Sequence, residues 1–534
     1  MPTTAAIIAK YLKAAGIGHV FGYPGNPNLD LIETGRLEGI EFILGSREAT
    51  AAFMAQAYAM LTGRPGACIS TLGPGATALA NGVANAFLDR IPMIAISGQA
   101  STRLETYFTH EVLNHNRLYA PITKWATGIL PENASTVMRK ALHIAMTERP
   151  GPVHITTNDN VLALEASDSE VRLPPAMSAV HSMEVFRTPS APDPLAMISS
   201  ARMPVILAGA SAQRSGAMEP LKILVEKLGC PVVVSPMSKG VFPENDLHFA
   251  GAIDMACNKV VWDLLGSSDL ILAVGFDPVE LIKPWSIKTP VLHIDSVPNT
   301  DQIYYAEVEM VGHIPSILGY LADGHRGEAK SENGEEHRQA LRKSYYEGRV
   351  AGKLNPTDVV DAVNEIFPKN SIVTTDVGSH KLLVGQGWTA TEPHSFLTTN
   401  GGSSMGFSLP AAIAAKLLHR DRPVVCTVGD GGFAMGYADL RLASSLRLGI
   451  VVVVFCDNSL NRIELKQTIK KYASVLTRFD PTDLVKLAES MECHGARAEN
   501  PRELAAVLFQ AKQGLDRPLV VQAVIDPAQY MSQF

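Results

Sequence analysis

The sequence predicts an α/β protein made of three doubly wound parallel-sheet domains. Short, continuously apolar runs recur along the 534 residues, each followed by a glycine or proline turn and a helical pattern. Strands that are apolar on both faces are typical of parallel sheets covered by helices on both sides. The predicted strands include 66–71, 92–96, 204–208, 270–274, 290–294, 424–428 and 450–455.

Two stretches interrupt this pattern and divide the chain. Residues 164–194 carry five prolines, and residues 323–337 are polar, charged and glycine-containing. Both compositions are typical of linkers. We therefore predict domains at 1–165, 190–323 and 350–534, each long enough to hold its own core.

Composition excludes several classes of protein. Hydrophobic residues make up 46% of the chain, charged residues 19%, and the net charge is -7, which disfavours nucleic acid and anionic membranes as partners. No apolar run reaches the roughly 18 residues that span a bilayer. The amino terminus resembles an amphipathic helix rather than a signal peptide. The six cysteines form no CxxC pair, which argues against zinc or a disulfide framework. We predict a cytoplasmic enzyme.

A first glycine-rich turn follows the strand at 66–71. Residues 73–78 (GPGATA) fit the loose dinucleotide fingerprint GxGxxG/A. A nicotinamide site would also need an acidic residue after the next strand, and that strand ends in ISGQ at 96–99. The turn therefore does not indicate a dehydrogenase, and a simple strand-to-helix turn stays open.

A stronger pattern lies in the third domain. One apolar strand ends in GDGG at 429–432, and the next ends in CDN at 456–458. Asp430 and Asn458 therefore lie where doubly wound sheets bind ligands. Carboxylate and amide oxygens suit Mg²⁺, and Gly431 and Gly432 allow a diphosphate to approach the backbone.

These motifs resemble those of the thiamine diphosphate enzymes of the acetolactate synthase, pyruvate oxidase and pyruvate decarboxylase type. The resemblance runs from about residue 3 to residue 527 and includes FGYPG at 21–25, SREA at 46–49, DVGSH at 376–380 and NGGSSMG at 400–406. It implies a magnesium ion held by Asp430, Asn458 and the carbonyl of Leu460. The implied cofactor-binding residues are Pro24, Gly25, Gly73, Asn81, Gly378, Ser379, His380, Ser404, Met405, Gly431 and Gly432.

The resemblance also implies that Glu48 is catalytic. A glutamate bonded to the pyrimidine ring promotes the imino tautomer, whose nitrogen can remove the thiazolium C2 proton. Burial raises a carboxyl pKa, so that such an acid can exchange a proton near neutral pH. Taken alone, Glu48 would be a first-turn residue that interacts with the helix dipole, and the accompanying family motifs reverse this preference. Met405, taken alone, would be a core methionine.

Within this superfamily the chain most resembles flavin-independent, catabolic acetolactate synthase. The run VGFDPVE at 274–280 lacks the arginine of flavin-dependent relatives, so we expect no FAD. The run NPN at 26–28 departs from the synthase, which has a lysine there. Glu464 instead resembles a decarboxylase glutamate that works with a histidine, for which His110 is the candidate. Arg462 could bind a substrate carboxylate or lie on the surface.

We therefore predict decarboxylation of a 2-oxo acid followed by carboligation to a second carbonyl compound, as in acetolactate synthase. The alternatives are a non-oxidative decarboxylase that releases an aldehyde and another thiamine diphosphate-dependent C–C lyase or ligase. The expected cofactors are thiamine diphosphate and Mg²⁺. The expected partners are a small-molecule 2-oxo acid and further copies of the chain, as a homodimer or homotetramer, since the resemblance implies a cofactor shared between two chains.

Overall fold

The computed structural model of the protein describes residues 1–168, 170–174, 183–327 and 335–533, and it contains three sheets of six, seven and six strands. The predicted α/β class with three parallel-dominated sheets is confirmed. Parts of both predicted linkers, at 169, 175–182 and 328–334, lie outside the described residues. The chain forms two compact units, and the predicted domain boundaries stay a prediction.

The first unit holds a fully parallel sheet with the strand order β2-β1-β3-β4-β6-β5. Its strands are β1 (His19–Gly22), β2 (Glu41–Leu44), β3 (Gly66–Ser70), β4 (Met93–Gln99), β5 (Trp125–Gly128) and β6 (Pro152–Asn158). Its helices are α1 (Thr4–Ala14), α2 (Leu29–Leu37), α3 (Glu48–Thr62), α4 (Pro74–Leu88), α5 (His115–Tyr119), α6 (Ala134–Met146) and α7 (Asp159–Leu162). Residues 402–419 and 436–446 also belong to this unit.

The second unit holds the other two sheets. The central sheet has the order β10-β9-β8-β11-β12-β13-β7, and the third has the order β15-β14-β16-β17-β19-β18. The central strands are β7 (Met183–Arg187), β8 (Pro204–Ala208), β9 (Val232–Val234), β10 (Phe249–Ala252), β11 (Leu270–Val274), β12 (Val291–Asp295) and β13 (Val308–Gly312). The third-sheet strands are β14 (Ile372–Thr375), β15 (Phe396–Leu397), β16 (Val424–Gly429), β17 (Ile450–Cys456), β18 (His494–Ala498) and β19 (Leu519–Val524).

The remaining helices follow the order of the chain, and all but α16 and α18, which belong to the first unit, lie in the second. They are α8 (Pro194–Ser200), α9 (Ala210–Arg214), α10 (Met218–Leu228), α11 (Asn258–Ser267), α12 (Ile314–Gly324), α13 (Glu335–Tyr345), α14 (Pro356–Ile366), α15 (Ser379–Gly387), α16 (Ser408–Leu418), α17 (Asp430–Ala434), α18 (Leu440–Ser445), α19 (Asn461–Ile469), α20 (Leu484–Ser490) and α21 (Pro501–Ala511).

The interpretation of residues 164–194 as a linker is wrong for residues 183–187. These residues form β7, which pairs antiparallel with β13 at the edge of the central sheet, Arg187 opposite Val308. Four of its five residues are exposed, so the strand lacks the continuous apolar run that identified the others. An edge strand needs only one partner and one covered face, and its sequence signal is correspondingly weak.

Continuous apolar burial explains why the second unit is one body. Strands β8, β9, β11 and β12 are buried throughout. One cluster of buried apolar side chains extends from the central sheet to the third sheet. Within the described part of the chain, no helix has the length and apolarity needed to cross a bilayer. All six cysteines are free and buried.

A buried carboxyl lies beyond the carboxyl end of β11 in the central sheet. The Glu280 side chain is 1% exposed. Its Oε1 accepts the backbone N–H of Ala210 at 3.0 Å and of Asp277 at 3.3 Å, and its Oε2 accepts the Ser235 hydroxyl. Burial raises the pKa of Glu280 from 4.5 to about 7, although the hydrogen bonds from Ser235 and Ala210 oppose this shift.

Glu280 should make stability depend on pH. The folded state binds more protons than the unfolded state between the ordinary pKa of 4.5 and the folded pKa of about 7, so stability falls as pH rises through this window. The loss is on the order of 3 kcal/mol. Glu280→Gln should remove this slope, so that its melting temperature matches wild type at about pH 5 and exceeds it at about pH 8.

Thermal unfolding at several pH values would check this prediction. The control is Glu219→Gln, which alters an exposed carboxyl on α10 and should leave the wild-type profile unchanged. An unchanged slope in the Glu280→Gln variant would contradict the prediction.

Candidate functional site

The third sheet places the predicted metal ligands at one edge. Strands β14, β16 and β17 are parallel neighbours, with Thr375 opposite Thr427 and Gly429 opposite Phe455. The chain leaves β14 toward β15 on one side and later returns to β16 on the other. This is a topological switch point, where doubly wound sheets bind ligands.

Asp430 connects the two loops that follow β16 and β17. Its Oδ2 accepts the backbone N–H of Asn458 at 2.7 Å and of Asp457 at 3.0 Å, and its Oδ1 accepts that of Gly431 at 2.8 Å. Burial raises the pKa of Asp430. Burial, together with the charge of Asp430, raises the pKa of Asp457 to about 8. A divalent cation bound beside Asp430 would favour the ionised form of its carboxyl.

The predicted glycines lie where side chains would clash. A Cβ on Gly432 would be 2.4 Å from Asp376 Oδ2. A Cβ on Gly378, whose φ is +154°, would be 2.8 Å from His380 Nδ1. The backbone at the N-termini of α15 and α17 is therefore packed so closely on Asp376 and His380 that only glycine fits at these two positions.

His380 and Ser379 begin α15 beside this edge. The His380 ring stacks on Phe455 with centroids 5.3 Å apart. Burial and the charge of Lys381 lower the pKa of His380 to about 3, so the ring is neutral near pH 7. Its Nε2 is buried and has no hydrogen-bond partner among the described residues. Ser379 Oγ donates to Asn461 Oδ1 at 2.9 Å.

The segment after β17 is fixed by a neighbouring loop. Asn458 has φ +55°, and its carbonyl accepts the N–H of Phe479 at 3.3 Å. Leu460 donates its N–H to Thr477, and its carbonyl accepts the N–H groups of Ile463 and Glu464 in the first turn of α19. The carbonyl proposed as a metal ligand is therefore already a helix acceptor.

The Glu464 carboxylate is buried and hydrogen-bonded. Its carboxylate accepts Ser459 Oγ at 2.5 Å and Arg478 Nε at 2.6 Å. Burial alone would raise the pKa of Glu464, but the hydrogen bonds from Ser459 and Arg478 outweigh it and lower the pKa. Glu464 therefore stays ionised near neutral pH in this arrangement. Arg462 is half-buried and interacts electrostatically with Asp254.

In the first unit, two predicted glycine turns meet at Thr71, and Glu48 lies beside one of them. A Cβ on Gly25 would be 2.1 Å from Thr71 Oγ1, so the Pro24–Gly25 turn packs directly on this residue. A Cβ on Gly75 would be 2.7 Å from Thr71 Cγ2 and 3.1 Å from Glu48 Oε1. Glu48 is half-buried and begins α3, and its carboxylate lies beside Gly75 in the first turn of α4.

The same unit positions three further predicted residues. Asn81 on α4 donates to Ser404 Oγ at 3.3 Å, and Asn85 Oδ1 accepts the Ser404 N–H at 3.3 Å. Met405 follows and is half-buried. Ahead of α3, the Ser46 N–H donates to the buried carboxylate of Asp439 at 2.8 Å.

His110 is exposed, whereas Asn28 of the NPN run is buried. The His110 side chain is 77% exposed, 3.9 Å from the carboxylate of Glu111. Asn28 is fully buried and structural, because its Oδ1 accepts the Gly25 N–H at 3.0 Å and its Nδ2 donates to the Ser70 carbonyl at 3.2 Å. Asn28, which belongs to the run that departs from the synthase sequence, therefore stabilises the Pro24–Gly25 turn.

Sequence reasoning missed two acidic residues at these sites. Glu111, with φ +59°, packs so closely on Gly73 that a glycine Cβ would be 2.9 Å from the Glu111 Cβ. Asp457 is the residue next to Asn458. The position of Asp457 directly after an apolar strand could have identified it from the sequence. No sequence pattern marks the positive-φ residue Glu111.

Comparison with known proteins identifies the class. Residues 2–118, 193–321 and 376–523 match the models of the thiamine pyrophosphate enzyme N-terminal TPP binding domain, central domain and C-terminal TPP binding domain, respectively. The chain belongs to the thiamine pyrophosphate enzyme family and is an enzyme dependent on thiamine diphosphate.

Its relatives include acetolactate synthases over almost their whole length. The chain is 29% identical to acetolactate synthase of Bacillus subtilis, with 98% of this chain and 93% of the relative covered. It is 30% identical to a probable acetolactate synthase large subunit of Methanococcus aeolicus, with coverages of 99% and 93%. For the protein of the same name from Methanocaldococcus jannaschii, identity is 32% and the coverages are 98% and 92%.

The residues present fit the cofactor. Beside the N-terminus of α15, the third sheet offers the buried His380 Nε2, which has no hydrogen-bond partner among the described residues. It also offers carboxylate and amide oxygens at adjacent strand ends, the donor types that Mg²⁺ prefers.

Proposed function

We propose that this protein decarboxylates a 2-oxo acid and joins the remaining fragment to a second carbonyl compound, as acetolactate synthases do. The observation that carries this proposal is the full-length similarity to acetolactate synthases from several organisms. The placement of the predicted residues in two clusters, around Thr71 and around the ends of β16 and β17, supports it.

Thiamine diphosphate, when bound, supplies the carbon nucleophile and accepts the electrons released by decarboxylation. We propose that Asp430, Asn458 and the Leu460 carbonyl hold Mg²⁺. Around the diphosphate we place Gly378, Ser379, His380, Gly431 and Gly432, with the helix N-terminus oriented toward negative charge.

In the first unit we propose that Glu48 bonds the pyrimidine ring and moves a proton at its N1' atom. Pro24, Gly25, Gly73 and Asn81 would shape the pyrimidine pocket, and Ser404 and Met405 would contact the cofactor. A carboxyl suits this proton transfer because its oxygen can accept a proton and return it.

The decarboxylase alternative requires Glu464 and His110 to deliver a proton. Glu464 is ionised and bonded to Arg478 at 2.6 Å, which favours a structural or electrostatic role over proton donation. We therefore place the carboligase first and keep His110 and Glu464 as residues that handle protons or orient substrate. The catabolic type, the absence of FAD and a cytoplasmic location stay predictions.

Proton NMR of the purified protein with thiamine diphosphate, Mg²⁺ and pyruvate would test the function. Accumulation of acetolactate is the expected result. Acetaldehyde alone would establish the decarboxylase instead, and unconsumed pyruvate despite bound cofactor would contradict pyruvate as the donor. The visible absorbance of the same sample should show no flavin band.

We also propose that the active form is a homodimer or homotetramer, as the resemblance implies. Light scattering combined with size-exclusion chromatography would measure the mass of the active species. A fully active monomer would contradict this proposal.

A further inference from the structure

A buried polar cluster lies within the sheet of the first unit. Ser97 on β4 lies between two histidines, with its Oγ 2.8 Å from His115 Nδ1 and 2.8 Å from His154 Nε2. His154 is on β6 and His115 is on α5, and all three side chains are buried, none more than 2% exposed. Polar groups inside a sheet are costly to bury unless they bond one another, so this arrangement is strongly constrained.

Both histidines of this cluster are uncharged near neutral pH. Burial lowers the pKa of His115 to about 4 and, with the neighbouring His115, lowers that of His154 as well. The Ser97 hydroxyl lies within hydrogen-bond distance of both rings and has one proton, so it can donate to only one of them. Ser97 therefore links the two rings and restrains the orientation of both.

The cluster supports a fourth residue, Tyr119. The Tyr119 ring stacks on His154 with centroids 3.7 Å apart and planes 7° from parallel. Its hydroxyl donates to the Ala76 carbonyl at 2.6 Å. Burial raises the pKa of Tyr119, and the nearby charge of Glu48 adds to the shift, so the hydroxyl keeps its proton and remains a donor.

Ala76 lies in the first turn of α4, next to Gly75. The Gly75 backbone is the surface on which Glu48 packs, since a Cβ there would be 3.1 Å from Glu48 Oε1. A carbonyl in the first helical turn normally has only its helix partner, so the additional bond from Tyr119 restrains the glycine turn. The sequence of contacts runs from Ser97 through His154 and Tyr119 to the turn beside Glu48.

We propose that Tyr119 is a positioning residue for Glu48, held in place by the Ser97–His154 pair. Its hydroxyl fixes the start of α4 and thereby the glycine turn that sets the orientation of the Glu48 carboxylate. The inference rests on the proposed role of Glu48 toward the pyrimidine ring, because only that role makes carboxylate orientation matter for proton transfer.

The test variant is Tyr119→Phe, which keeps the stacked ring and removes only the hydroxyl. Amide hydrogen–deuterium exchange of the protein without cofactor should become about fivefold to tenfold faster for residues 73–80. With thiamine diphosphate and Mg²⁺ bound, exchange of the thiazolium C2 proton for deuterium, measured by proton NMR after an acid quench, should slow about tenfold. Thiamine diphosphate affinity should change less than about threefold.

Matched variants separate positioning from general destabilisation. Tyr11→Phe also removes a hydroxyl bonded to a carbonyl, that of Arg172, from a fully buried ring in the same unit. It should leave both exchange rates at wild-type values. Ser97→Ala removes the bond to His154 without altering Tyr119, so it should slow C2 exchange by a smaller factor than Tyr119→Phe does. This second variant tests the proposal if the Tyr119 variant is poorly folded.

The outcomes distinguish this proposal from the function on which it rests. Wild-type C2 exchange in both Tyr119→Phe and Ser97→Ala would overturn the positioning role, as would equal slowing in Tyr11→Phe. If wild-type protein with bound cofactor exchanges no faster than Glu48→Gln, the proposed role of Glu48 itself fails.

Discussion

Glu48→Gln should lower kcat by about 1000-fold or more while leaving the protein folded. Positioned acid–base groups contribute about 100- to 10,000-fold to a rate. Glutamine has nearly the same shape as glutamate but cannot gain and lose a proton at its side-chain oxygen. Because Glu48 lies against Gly75, a substitution of equal size should leave the glycine turn undisturbed and affect only the proton transfer.

The stability of this variant should change little. Glu48 is the first residue of α3, where a negative charge stabilises the helix dipole by at most about 1 kcal/mol. Steady-state consumption of pyruvate, circular dichroism and a melting temperature would separate the two effects. The control is Glu33→Gln, an exposed carboxyl on α2 of the same unit, which should retain wild-type turnover. Full activity in Glu48→Gln would refute the assignment of the cofactor-binding region.

Parallel strands were the most predictable part of this fold. The predicted strands 424–428 and 450–455 lie within β16 and β17, because a strand covered on both faces must be apolar at every position. The antiparallel edge strand β7 has no such requirement and was missed. Nor could chain order reveal that α16 packs in the first unit, where Phe407 just before it meets Phe53 with ring centroids 5.9 Å apart.

The candidate site, like the fold, was predictable from the sequence only in part. Asp430 and Asn458 could be placed at one edge because adjacent parallel strands must end together. The cluster of Ser97, His115, His154 and Tyr119 could not be found, because Ser97 lies just beyond the predicted strand 92–96 and His154 lies on β6, which was not predicted. The other two members belong to α5, and no local pattern encodes which helix packs against which strand.

Asp430→Ala should weaken binding of Mg²⁺ and thiamine diphosphate by about 100-fold or more, because the variant loses a proposed direct ligand. The carboxylate also holds the N–H groups of Asp457 and Asn458 at 3.0 and 2.7 Å. Its removal therefore loosens the loop that carries the second proposed ligand. This defect lies in cofactor binding rather than in proton transfer, so excess Mg²⁺ and thiamine diphosphate should restore part of the activity, unlike in Glu48→Gln.

Titration calorimetry of thiamine diphosphate in the presence of Mg²⁺ would measure this loss directly. The matched control is Asp457→Asn. In the wild-type protein Asp457 Oδ1 accepts the Ser459 N–H at 3.1 Å, and the asparagine side-chain oxygen can still accept this bond. Because that loop bond survives and Asp457 is not a proposed ligand, its binding constant should stay within about threefold of wild type. Equal losses in both variants would mean that local charge, rather than direct coordination by Asp430, holds the metal. Wild-type affinity in Asp430→Ala would exclude Asp430 as a ligand.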